Sequence, residues 1–131
     1  MIRTIPVFLL LFFLVLSCNE KRTVQYPDQL LGLNIQYRYS NDREYNVKLE
    51  KEGLSYRYIS GSKPEKWWGK FPYNYSMLED GQHVVAWHEE GYDDYITLII
   101  DFERNTLFGS GIIKCEEVHF APAEIFTYSF E

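Results

Sequence analysis

The residues whose types and spacing could do chemistry lie on short alternating runs. In HVVAWHE, a two-residue period places His83, Val85, Trp87 and Glu89 on one side of a strand, with Val84, Ala86 and His88 on the other. If Trp87 faces inward, Glu89 faces inward too. A carboxyl group in an aromatic-lined cavity is desolvated, which raises its pKa and suits it to donate a proton near neutral pH. The alternative is a solvated glutamate on a rim beside Glu90, and periodicity alone makes that the default. In NIQYRYS the same period puts Tyr37 and Tyr39 on one face, either an ordinary core or the wall of a pocket. A pocket of that kind would offer phenolic hydroxyls that donate and accept hydrogen bonds. LSYRYIS sets Tyr56 and Tyr58 against Arg57, with the tyrosines inward and Arg57 solvated as the default arrangement.

Other chemistries lack their residues. The three histidines are His83, His88 and His119, and the first two are five apart, on opposite faces of one run. No Cys or His spacing fits a zinc site, so no metal is expected. No glycine-rich phosphate loop or G-x-S-x-G nucleophile turn is present, and no cofactor is expected. Cys115 has no activating neighbour in sequence and is expected to be a structural thiol. A net charge of −6 provides no broad basic footprint for nucleic acid or for anionic lipid headgroups.

The elements that must position these residues are strands. The chain of 131 residues is enough for one domain. From Leu30 onward, runs rich in Tyr, Val, Ile and Phe alternate with turn residues: Asn41-Asp42, Lys51 to Gly53, and Asp80-Gly81, the last a strong hairpin signal. GSKPEKWWGKFP interrupts the rhythm and is expected to be a loop with one short strand near Trp67. EIFTYSF is expected to be the closing strand. No window of ten or more residues carries a helical period. The spacing predicts an all-β fold over residues 30–131, a small up-and-down antiparallel β-barrel of about eight strands, with a two-sheet sandwich as the rival.

The N-terminal segment has a different character. Arg3 precedes the apolar run Ile5 to Leu16, and the segment ends in VLSC, which is similar to a bacterial lipobox. That similarity implies a signal peptide over 1–17, lipid on Cys18, and a polar tether over 18–29. Twelve residues are short of the roughly 20 that span a bilayer. Membrane attachment would therefore come through the N-terminal lipid alone, in the bacterial cell envelope, at the outer membrane where the cell has one. With Cys18 lipidated, Cys115 has no partner for an internal disulfide. The fold then depends on its core, to which an aromatic content of 18% contributes large apolar surfaces.

LGLNIQYRYSNDREYNVKLEKEGLSYRYISGSKPEKWWG, followed by VVAWHEEGYDDYITLIIDF, resembles the lipocalin-like (calycin) barrel of bacterial phenolic acid decarboxylases and the related MoaF-like domains. The resemblance runs from Leu31 to Phe102 and is carried by the order of the motifs. It implies a small, aromatic ligand, bearing a carboxylate in the decarboxylases, held in the barrel mouth by Tyr37, Tyr39, Lys66, Trp87 and Glu89. In a decarboxylase it would make Glu89 the general acid, with Tyr37 and Tyr39 positioning the substrate, and no cofactor. Lys66 stands where that family has arginine, and Glu90-Gly91-Tyr92 replaces its Pro-Thr-Gly turn. The expected function is ligand binding in the barrel mouth. The alternatives are cofactor-free decarboxylation of hydroxycinnamic acids and an interaction module with a filled barrel. A homodimer stays open.

Overall fold

The structure, a computed structural model, describes residues 24–61 and 63–131. The expected signal peptide, the lipidation site Cys18 and the first part of the tether lie outside the described residues.

Alternation of apolar and polar residues gives nine strands: β1 (Leu33–Tyr39), β2 (Glu44–Glu50), β3 (Gly53–Tyr58), β4 (Trp68–Phe71), β5 (Tyr73–Met77), β6 (His83–Glu89), β7 (Asp94–Asp101), β8 (Thr106–Ile113) and β9 (Glu117–Phe130). One 3-10 turn, Asp28–Leu30, precedes them. All form one antiparallel sheet in the order β4-β3-β2-β1-β9-β8-β7-β6-β5. Pairing of β1 with β9 joins the first strand to the last, and the sheet is a nearly closed barrel rather than a two-sheet sandwich. It is open between β4 and β5, which meet at Pro72. Proline has no N–H to give to a ladder, so it suits that edge.

The strand count is nine rather than about eight, and the last strand is longer than expected. Its first half pairs with β8 from Glu117 to Glu124, and its second half with β1 from Ala123 to Phe130. One 14-residue strand therefore serves both neighbours in turn. The short strand after the Gly/Pro-rich segment begins at Trp68, one residue beyond Trp67, which is exposed.

Register stacks the barrel interior in layers. Leu33, Leu49 and Leu54 fill one end; Ile35 and Val47 pair in the middle, with Tyr56 opposite Val47; Tyr37, Tyr45 and Tyr58 pair toward the other end. The aliphatic end is capped by Tyr26, which stacks on Phe102 at 4.8 Å and meets the His83 ring edge-on at 4.7 Å. His83 is buried, and its Nδ1 lies 2.9 Å from the Tyr75 hydroxyl. Its Nε2 is buried and has no hydrogen-bond partner among the described residues.

Burial holds the His83 pKa below the ordinary histidine value, opposed by the nearby Asp101 carboxylate, which is itself paired with Arg104. The native state therefore binds fewer protons at this site than the unfolded chain. Stability from this residue is present above the unfolded value of about 6.5 and is lost as pH falls below it. In urea melts, His83→Leu is expected to flatten the decline of stability between about pH 7.5 and pH 5.5, relative to the wild type. A variant with the same slope as wild type would show that another group carries the decline.

Candidate functional site

The tyrosine-lined end of the barrel is not filled. It encloses a cavity of about 190 Å³. The strands place six aromatic rings around it: Tyr37 and Tyr39 from β1, Tyr45 from β2, Tyr56 and Tyr58 from β3, and Trp87 from β6. These rings stand at differing angles. Tyr37 lies nearly parallel to Tyr45 (19°) and nearly perpendicular to Tyr39 (88°), with centroids 5.8 and 5.3 Å away. Edge-to-face and offset contacts of this kind are favourable for aromatic pairs, so the wall holds its own shape.

Room for the wall depends on Gly109 in β8. A Cβ built there would fall inside the Tyr39 ring and hydroxyl, so only glycine lets Tyr39 take its place. Its neighbour on the same face, Gly111, also lines the cavity.

Glu89 sits at the end of β6, 3% exposed, with both carboxyl oxygens engaged. Trp87 Nε1–H donates to Oε1 at 3.0 Å, and the Tyr56 hydroxyl donates to Oε2 at 3.0 Å. The rim arrangement that periodicity alone favoured is therefore not the one found. Burial raises the Glu89 pKa from its ordinary value, with Asp94 adding to the shift, while the bonds from Trp87 and Tyr56 oppose it. The tyrosines shift upward as well: burial pushes Tyr39 up to about 12, and Tyr37 and Tyr56 also rise, Tyr56 partly because of the Glu89 charge. At neutral pH the phenols are neutral hydrogen-bonding groups.

A raised folded-state pKa means that ionising Glu89 costs more in the native state than in the unfolded chain, so stability declines as pH rises through its folded pKa. Glutamine can preserve both contacts, because its carbonyl accepts from Trp87 while its amide donates to a rotated Tyr56 hydroxyl. Glu89→Gln is therefore expected to melt higher than wild type at about pH 8 and to converge with it near pH 4. Thermal melts across that range check this. A variant melting lower at pH 8 would show that the ionised carboxylate is stabilising where it stands.

Of the residues singled out in the sequence, Tyr37, Tyr39, Trp87 and Glu89 converge on one cavity. Lys66 does not line it. Its ammonium lies 3.5 Å from the centroid of the Trp68 ring, in a cation–π contact, and Trp68 in turn stacks on Tyr56 at 6.5 Å without lining the cavity itself. Arg57 faces away from the cavity, bonding to Asn46 and resting on Trp67. The lining includes charged residues that the sequence reading did not single out, Arg43 and Asp94. Both lie in or beside turns, where strand periodicity gives no direction for a side chain. Among the described residues no group of three or more His, Cys, Asp or Glu side chains could hold a metal ion. No helix among them is long and apolar enough to cross a membrane.

Fold and site together define a small antiparallel β-barrel with an aromatic cavity at one end. No family model matches the chain, and no curated protein matches it. In structure it is similar to a protein of Burkholderia vietnamiensis described as a "putative beta-lactamase", with a TM-score of 0.64 and 16% sequence identity. The match covers 77% of this chain and 96% of that one. At that identity the likeness concerns the fold alone.

Proposed function

We propose that this chain is a small-molecule-binding barrel that holds a single-ring aromatic ligand in the cavity between Tyr37, Tyr39, Tyr56 and Trp87. The carrying observation is a cavity of about 190 Å³ walled by six aromatic rings, with a hydrogen-bonded carboxyl group at its side. A pocket below the range of about 300–1,000 Å³ used for drug-sized ligands limits the ligand to one ring and a short arm. Aromatic walls supply apolar area, and the phenols and Glu89 supply the few polar contacts that fix orientation. The N-terminal apolar run and VLSC support attachment to the cell envelope through lipid on Cys18.

Calorimetric titration with single-ring aromatic compounds of positive, neutral and negative charge tests this reading. Saturable one-to-one binding of at least one of them, weakened by Tyr37→Ala, is the expected result. A full panel without heat of binding would overturn it.

The burial of Glu89 in the same cavity as Tyr37 and Tyr39 supports a second reading, cofactor-free decarboxylation with Glu89 as proton donor. In that case 4-hydroxycinnamic acid would lose its absorbance in the presence of the wild type and keep it with Glu89→Gln. An unchanged spectrum with wild-type protein removes this second reading.

A further inference from the structure

The charges facing the cavity are unevenly placed. Glu89 is buried, Asp94 lies beside it across the β6–β7 hairpin, and Arg43 and His119 complete the ionisable groups of the lining apart from the tyrosines. Arg43 is exposed at the edge of the cavity, where its charge opposes the upward shifts of Tyr45 and Tyr58 rather than acting on Glu89; the cationic group that acts on Glu89 is the exposed His88 on the outer face of β6. His119 lies 3.5 Å from Glu117 at the surface. Among the described residues no lysine, arginine or histidine forms a salt bridge with Glu89. Buried carboxylates are ordinarily paired with a cation. This one has two neutral donors, Trp87 and Tyr56, on a group that can accept about four hydrogen bonds.

The rest of the wall favours the same sign of charge. Aromatic faces carry the negative part of the ring quadrupole and attract cations, and several rings around one site form the cage used for ammonium groups. Tyr37, Tyr39, Tyr45, Tyr56, Tyr58 and Trp87 supply such rings, set at differing angles.

We propose that the ligand of this cavity is a small organic cation, an aromatic compound bearing a protonated amine or a quaternary ammonium group, with its charge against Glu89 and the surrounding rings. This rests on the binding reading above. The ligand nitrogen supplies the counter-ion that the protein does not provide, and a protonated amine also fills free acceptor positions on the carboxylate. Since Glu89 must be ionised to act in this way, affinity for an amine rises with pH through the Glu89 titration, as long as the amine stays protonated.

The test is calorimetric titration of the full chain in a non-ionic detergent at about pH 7.5. The probes are phenethylamine, its neutral counterpart 2-phenylethanol, and phenylacetate. Phenethylamine is expected to bind at least about tenfold more tightly than the alcohol, and phenylacetate more weakly than either. Glu89→Gln is expected to bring the amine-to-alcohol ratio within about threefold of unity. The wild-type ratio decides by itself, so a variant that fails to fold does not remove the test. Binding of the alcohol or phenylacetate as tightly as the amine overturns the cation assignment and leaves the binding reading standing. Binding of none of the three overturns both.

Discussion

Replacing Trp87 by alanine is expected to cost about 3–5 kcal/mol of stability, the range for removing a large buried aromatic side chain. Trp87 is 3% exposed and pairs with Tyr73 of β5 on one side and Ile96 of β7 on the other. β6 is one strand in from the opening between β4 and β5, so the Trp87 side chain packs next to a seam that no backbone ladder closes. Truncation also removes the indole N–H that Glu89 accepts, leaving a buried carboxyl oxygen short of a partner. Against a typical total of about 5–15 kcal/mol for a domain, this approaches the whole margin. Urea melts of wild type, Trp87→Ala and Trp87→Phe separate the two contributions. The phenylalanine variant keeps much of the packing and loses the donor, so it should recover more than half of the loss. Equal losses for both variants would place most of the effect in the hydrogen bond.

The second large effect is expected at Gly109. Alanine there puts a methyl group inside the space of the Tyr39 ring, on a backbone strand that cannot move without breaking its pairing with Leu98 and Ala121. Tyr39 must swing into the cavity or out of the barrel. Overpacking of this kind costs about 1–3 kcal/mol. Ligand affinity should fall at least about tenfold, because one wall of the site is displaced. Tyr39→Leu should absorb most of the stability cost when combined with Gly109→Ala, since the clash needs the ring. A double-mutant cycle on urea stability measures that coupling. Additive losses would mean that the strain resides elsewhere.

The sequence made the inward-facing residues legible where they lie on strands with a clear period. Tyr37, Tyr39, Trp87 and the pair Tyr56 and Tyr58 all fall on the face that alternation assigns them. Glu89 is less legible, because period two fixes the side of the sheet but not how far the barrel extends beyond a strand end. Its burial follows from Tyr56 of β3, a donor 33 residues away in sequence. Arg43 and Asp94 were hidden for a related reason: they sit next to turns. The length of β9 is obscured by Pro122 and by Glu117 at its first position. Both interrupt an apolar pattern, yet this part of the strand is largely solvent-facing and tolerates them. Only the resemblance points to Lys66, and its contact with Trp68 reflects the local course of the segment before β4.

The most direct test of the central claim follows the indole N–H of Trp87 in proton–nitrogen correlation spectra as phenethylamine is added. The chain has three tryptophans, and of these Trp87 alone lines the cavity. Its N–H is bonded to Glu89, so a ligand entering there must perturb it. A saturable shift of Trp87, with Trp67 and Trp68 moving less, is the predicted result. Saturable binding in which Trp87 stays fixed and Trp67 or Trp68 shifts would place the ligand outside the barrel and contradict the account.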